Sequence, residues 1–309
     1  SSKNNQYDSE RCFKLANMNV IKNGFRKAFE TNLEYNDIIT ELIRNRVPLH
    51  LGGMSDPFQP KEFEHRMTYK LLELSRKYVY PMTISTKQSY LPDEYFELLN
   101  PSIHAFQISL IGTDLDWIRK FEKRTPPPKD RIGFVKQLKE KGFWVSVRIQ
   151  PLINMQQAIN VIEQCNGYVD YFTVEHLKVY NQKNIKQNII DITGLDLSNY
   201  KYTGKKYELK TEIKRENIIQ LRKVSKHPIG CGDNDLHEFS DTYNCCGVDT
   251  MNANFKNWLK YNATYINMTG DSTQWFPQSD LPQKMTSYMK LQDDKKYKSF
   301  VDKFMSGTR

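Results

Sequence analysis

From Val47 onward the chain alternates short apolar runs with amphipathic stretches, and that rhythm leaves few folds open. Val47–Leu51, Tyr80–Ser85, His104–Leu110, Phe143–Ile149 and Tyr168–Val174 each read as a strand. Between them, Lys61–Lys77, Asp93–Leu99, Thr113–Lys123, Asp130–Lys141 and Met155–Gln164 carry apolar residues at three- and four-residue spacing, as in Ile132, Val135 and Leu138. That spacing predicts helices. Strands separated by helices join in parallel through right-handed crossovers. Near-continuous apolar strands such as VYPMTIS suit a sheet covered on both faces.

The strand ends separate the two ways of arranging such units. Ser55-Asp56, Ser85-Thr86-Lys87, Ser109, Arg148 with Gln150, and Glu175-His176 put polar groups at the ends of successive strands. A doubly wound sheet gathers its binding residues at one switch point, whereas a barrel draws on many strand ends at one rim. The expected fold class is therefore α/β, a partial (β/α)6-type barrel of parallel strands with a C-terminal Cys-bearing extension. Residues 1–179 would form the partial barrel, its first strand and cysteine loop incomplete or missing. Residues 180–309 would form the remainder and the extension. Tyr180–Tyr207, rich in Asn, Lys and Tyr, reads as an insertion or long loop, Lys210–Val224 as a helix, and Pro228–Gly232 as the start of a last strand or loop.

Composition narrows the function classes. Hydrophobic residues make up 39% of the 309 and aromatics 12%, enough for a sizeable core. No apolar run reaches the length that spans a bilayer, and no signal-like segment opens the chain, so the expectation is a soluble, cytoplasmic protein. A net charge of +9 suits a nucleic-acid partner or an anionic cofactor, and equally a solvated surface. The five cysteines, Cys12, Cys165, Cys231, Cys245 and Cys246, are odd in number and unevenly spaced, which argues against a disulfide framework.

The segment VPLHLGGMSDPFQP, residues 47–60, carries the densest chemistry. An apolar run stops on Gly52-Gly53, where missing side chains let backbone or ligand approach closely. Ser55 and Asp56 then offer an acceptor and a charge. The same pattern also fits an ordinary strand-to-helix turn.

Together with GGMSDPFQPKE at 52–62, three further stretches complete a pattern: ISTK at 84–87, ISLIGTD at 108–114 and FEKRTPPPKDRIGFVKQLKEKGFWVSVRIQPL at 121–152. The set resembles the radical S-adenosylmethionine superfamily, nearest its spore photoproduct lyase-like (DNA repair photolyase-like) group, over about residues 47–175. The resemblance implies an enzyme in which a 4Fe–4S cluster and S-adenosylmethionine yield a 5′-deoxyadenosyl radical that abstracts hydrogen from a nucleic-acid, nucleotide or peptide substrate. It implies an external reductant such as flavodoxin or ferredoxin. Gly52, Gly53 and Met54 would pair with the methionine amino group of the cofactor, and Ser55 and Asp56 would sit beside it. Lys87 would meet the cofactor carboxylate and Ser109 the ribose. Arg148 would point into the same cavity or pair with Glu122. A zwitterionic moiety needs one carboxylate and one cation, which this set contains. Read without the resemblance, Lys87 is equally a surface cation, Ser109 a core hydroxyl, and Arg148–Glu122 a structural pair.

One departure stands out. The family's C-x-x-x-C-x-x-C motif, followed by an aromatic, is matched here only by Cys12-Phe13, with Asn5 and Ser9 at the two earlier positions. Neither can replace a thiolate on iron. The chain opens on Ser-Ser, so the expectation is that the cysteine loop belongs to residues omitted from it. The alternative is a cluster-less relative that binds a nucleotide or nucleic acid. Cys231, Cys245 and Cys246 raise a second metal question: an auxiliary iron–sulfur cluster, a zinc ion shared with His237, or buried thiols. Asp233 and Asp235 read as capping or turn residues.

Overall fold

In a computed structural model, which describes residues 15–32, 38–53, 55–242 and 244–259, the alternation becomes one open parallel sheet. Its strands are β1 (Leu49–Leu51), β2 (Met82–Thr86), β3 (His104–Ser109), β4 (Trp144–Leu152) and β5 (Tyr171–His176). After β6 (Lys178–Tyr180), β7 (Tyr200–Tyr202) and β8 (Lys206–Leu209) comes β9 (Ile229–Cys231). The sheet order is β1-β2-β3-β4-β5-β9, every pair parallel, and among the described residues β1 and β9 form its two edges. The result is an α/β partial barrel that does not close.

Helices α1 (Met18–Phe29) and α2 (Ile38–Arg44) precede the sheet. Its crossovers are α3 (Pro60–His65), α4 (Met67–Tyr78), α5 (Asp93–Phe96), α6 (Leu115–Arg119), α7 (Pro128–Glu140) and α8 (Met155–Cys165). The stretch expected as one helix over Lys61–Lys77 is two, because Arg66 takes a left-handed conformation at φ 54°. Buried Glu62 stabilises the restart, accepting the Thr68 and Tyr69 backbone N–H groups at 2.8 and 2.9 Å. A carboxylate there satisfies two orphan donors at a positive helix end.

The segment over Tyr180–Tyr207, expected as an insertion or long loop, is not a loop. It contains α9 (Lys183–Thr193) and a three-stranded antiparallel sheet of order β6-β8-β7, after which α10 (Thr211–Val224) returns to β9. Short strands separated by polar residues carry too little alternation to be read from sequence.

Side chains alternate across the strands, and the two faces differ in kind. Met82, Ile84, Phe106, Ile108, Val145, Val147, Phe172 and Val174 build the main core under the helices. The opposite, concave face carries Thr83, Ser85, Gln107, Ser146 and Thr173, all buried, and Arg148. The strands are thus mainly apolar on the helix side, and the expected cover on both faces reaches only part of the way along the concave one. Near the strand starts the concave face is covered by Val248, Met251 and Phe255, packed with Ala105 and Trp144. Gly230 and Tyr171 make this cover possible: a Cβ on Gly230 would fall 1.6 Å from the Tyr171 hydroxyl oxygen. No helix among the described residues is long and apolar enough to cross a membrane.

Candidate active site at the strand ends

The cover leaves the C-terminal end of the concave face open. There a cavity of about 450 Å³ is lined by Gly52, Gly53, Ser55, Asp56, Ser85, Thr86, Lys87, Ser109, Arg148 and Gln150. Seven of the eight residues expected to bind a cofactor are in that set. The eighth, Met54, lies outside the described residues, as does Cys12.

The two glycines play different parts. Gly52 has φ 95°, and a Cβ there would fall 2.1 Å from the Ser85 carbonyl oxygen, so only glycine lets the β1 tail press against β2. Gly53 faces open space, and close approach does not require it. Asp56 is committed to the scaffold. Its carboxylate accepts the Phe58 N–H at 2.9 Å, the Lys87 N–H at 2.7 Å and the Thr86 hydroxyl at 2.9 and 3.0 Å. It fastens the loop after β1 to the end of β2 and still lines the cavity.

Glu122 pairs differently from the expectation that joined it to Arg148. Its two oxygens take Lys87 Nζ at 2.6 Å and Arg131 Nη1 at 3.0 Å. Arg131 is fully buried, so an anion beside it offsets a large desolvation cost. Burial still holds the guanidinium below its ordinary pKa, with Glu122 acting in the opposite sense. The same guanidinium donates to the Ser109 carbonyl at 2.7 Å and fixes the end of β3. Arg148 meets only neutral acceptors among the described residues: Ser85 Oγ at 3.0 Å, Gln107 Oε1 at 3.3 Å and the Gln150 side-chain oxygen. Gln150 passes the chain on to Glu175, which Lys178 neutralises.

Below the cavity the network continues into the concave face. His50 Nε2 lies 2.7 Å from Ser85 Oγ, and Ser85 donates to Gln107 Oε1 at 2.9 Å. Gln107 Nε2 donates to the Cys246 carbonyl at 2.9 Å. The Cys246 thiol is held well below its ordinary pKa, first by a hydrogen bond from Cys245 and then by His50 and Arg148, against the opposing effect of burial.

The three C-terminal cysteines do not converge. Cys231 lies on β9 in register with Val174 and packs into the main core on the helix side, its thiol 3.5 Å from the Phe239 carbonyl. Cys245 and Cys246 belong to the segment on the concave side, their Sγ atoms 3.9 Å apart. Among the described residues no group of three or more His, Cys, Asp or Glu side chains could hold a metal ion.

Sequence reasoning missed Gln107, the hub joining Ser85, Arg148 and Cys246. Period-two alternation puts it on the face of Ser109, so the signal was present on β3. It also missed the buried cluster on the helix side, where Asp233 meets His176 Nδ1 at 2.7 Å and Lys214 Nζ at 3.4 Å, and Asp235 meets Lys214 at 2.9 Å. Those residues come from three separate elements, and nothing in their local pattern announces the meeting.

No family model matches this chain, and no curated protein does. Among solved structures it is similar to spore photoproduct lyase complexed with dinucleoside spore photoproduct, at TM-score 0.46 and 17% identity, over 62% of this chain and 58% of that one. It is also similar to Streptococcus suis SuiB bound to S-adenosylmethionine, at TM-score 0.43 and 14% identity, over 66% of this chain and 44% of that one. A third similarity is to SuiB bound to precursor peptide SuiA, at TM-score 0.42 and 14% identity, over 70% and 48%. The chain thus spans somewhat over half the length of the lyase and under half that of the two ligand-bound SuiB chains.

Proposed function

We propose that this chain binds S-adenosylmethionine at the strand ends of its partial barrel and acts as a radical S-adenosylmethionine enzyme on a nucleic-acid, nucleotide or peptide substrate. The observation that carries the reading is the convergence of Gly52, Gly53, Ser55, Asp56, Lys87, Ser109 and Arg148 on one cavity from four successive strand ends. A molecule with an amino acid at one end and a nucleoside at the other needs a cation, an acceptor and exposed backbone within one concave site. The cavity offers all three. Ser55 and the backbone around Gly53 face an ammonium group, Arg148 or Lys87 a carboxylate, and Ser109 a ribose hydroxyl.

The fit is different for the iron–sulfur cluster. Three thiolates are required, and the described residues place none at the mouth of β1, Cys12 lying outside them. The reading therefore rests on cofactor binding. In it, this chain's residues orient the amino acid end of the cofactor and remove water from around it, while the radical chemistry belongs to the cofactors.

Titration calorimetry with S-adenosylmethionine and S-adenosylhomocysteine tests the binding step, with saturable one-to-one binding expected. The absence of binding up to millimolar ligand overturns the reading. The enzymatic step is read separately as 5′-deoxyadenosine release after anaerobic reconstitution with iron and sulfide. Binding without release selects the alternative of a cluster-less nucleotide-binding module.

A further inference from the structure

Cys245 and Cys246 stand apart from the other described cysteines. Cys165 and Cys231 are buried in the helix-side core, whereas these two are half-buried on the concave side. Their turn is pinned from several directions. Cys246 N–H donates to Asn244 Oδ1 at 2.8 Å, Gly247 closes the turn at φ 69°, and Thr173 Oγ1 on β5 donates to the Cys245 carbonyl at 2.9 Å. Gln107 on β3 donates to the Cys246 carbonyl at 2.9 Å. Two neighbouring thiols are thus held 3.9 Å apart on a fixed backbone, beside the Arg148 and His50 side chains of the cavity network. Nothing in the cofactor-binding reading uses them.

We propose that Cys245 and Cys246 form a redox-active vicinal dithiol that exchanges with small-molecule disulfides and closes to a disulfide with each other. In the first step Cys246 Sγ gives its proton to solvent and attacks one sulfur of the small disulfide. That S–S bond breaks, one half leaves and takes up a proton as a thiol, and the other half stays on Cys246 as a mixed disulfide. Cys245 Sγ then loses its proton and attacks Cys246 Sγ, expelling the second half as a thiol. The two cysteines are oxidised by two electrons, and the small disulfide is reduced to two thiols.

The choice of Cys246 as the attacking sulfur follows from its place beside the Arg148 guanidinium, since a positive environment favours the thiolate that performs exchange, whereas burial keeps the His50 ring toward its neutral form. The consequence reaches the cavity. Bringing the sulfurs from 3.9 Å to a bond of about 2.05 Å shifts the turn whose carbonyls hold Gln107 and Thr173. Gln107 also holds Ser85 and Arg148, so the oxidation state of the pair bears on the floor of the site.

The test uses the full chain equilibrated with glutathione at stepped ratios of oxidised to reduced, then trapped with iodoacetamide and digested with trypsin. Cleavage after Lys226 and Lys256 yields one peptide carrying Cys231, Cys245 and Cys246. At oxidising ratios it is expected to change from three alkylations to one, on Cys231, without gaining glutathione. In Cys245→Ser the second step is lost, and glutathione is expected to stay on Cys246. Three alkylations at every ratio, a disulfide that includes Cys231, or glutathione stable on the unaltered pair overturns the proposal. Because the main reading comes from the unaltered protein, misfolding of a variant does not decide it.

Discussion

Lys87 Nζ lies 2.6 Å from Glu122 Oε1, and that pairing changes which cation of the cavity can grip an anion. Glu122 also takes Arg131, while among the described residues Arg148 has only the neutral acceptors Ser85, Gln107 and Gln150. A carboxylate entering the cavity gains more from the guanidinium that lacks an acidic partner. S-adenosylhomocysteine carries the amino acid end and 5′-methylthioadenosine does not, so their affinity ratio isolates this contact. Arg148→Gln is expected to shrink that ratio about tenfold, equivalent to ~1.4 kcal/mol. Lys87→Gln should change it by less than about threefold. Calorimetric titration of both ligands into both variants checks the assignment. The reverse order of effects would return the carboxylate to Lys87.

The two glycines after β1 give a matched pair of stability tests. Gly52→Ala places a Cβ 2.1 Å from the Ser85 carbonyl at a φ of 95°. Backbone strain and the clash together should cost about 3 kcal/mol. Gly53→Ala meets open space and should change stability by less than about 0.5 kcal/mol. Urea unfolding of both variants, compared at equal slope, reads the difference directly.

How much of this could be seen in the sequence depended on the range of the interaction. The parallel strands were legible because each is a local apolar run, and β9 emerged where Pro228–Gly232 had hinted at a strand. The cavity rim was legible because strand ends in a parallel sheet share one side, which turns one-dimensional positions into a common edge. The partners at that rim were not. Glu122 chooses Lys87 and Arg131 over Arg148 through the placement of α7, and a buried guanidinium at Arg131 has no signature in its own neighbourhood. The cysteines failed for the same reason. Nearness in sequence left a shared metal site open beside buried thiols, and the sheet runs between Cys231 and the Cys245–Cys246 pair.

His104 should make stability depend on pH. It is fully buried, its Nδ1 accepts the Asn100 N–H at 2.8 Å, and its Nε2 lies 2.8 Å from Ser75 Oγ, an arrangement suited to the neutral ring. Burial lowers its pKa from 6.5 to about 4. A group whose folded value is lowered contributes stability that is fully present above its unfolded value. That contribution is lost as pH falls from 6.5 toward 4. The full effect is about 3 kcal/mol. Stability from urea unfolding should therefore fall between pH 6.5 and 4, and His104→Gln should flatten that limb. An unchanged limb in the variant would assign the loss to other groups.

A second acid limb should come from the cluster where Asp233 joins β5, α10 and the loop after β9. Asp233 Oδ2 accepts the His176 N–H at 3.0 Å and lies 2.7 Å from its Nδ1, with Lys214 Nζ at 3.4 Å from Oδ1. Burial pushes the Asp233 carboxyl up, and the His176 and Lys214 interactions outweigh it, so the folded value lies below the ordinary one. The stability that Asp233 contributes is present above about pH 4 and is lost as pH falls through the lowered folded value. Lys214→Met removes one of the groups that pull the value down while burial persists. The acid limb should then begin at higher pH, and the protein should lose about 3–5 kcal/mol at pH 7 by stranding a buried carboxylate. Asp233→Asn keeps the shape without the charge, and in that variant the part of the limb that Lys214→Met displaces should disappear. Urea unfolding from pH 3 to 7 on both variants separates the two effects. A Lys214→Met limb that coincides with that of the unaltered chain would mean that Lys214 stabilises the helix through Asp235 alone.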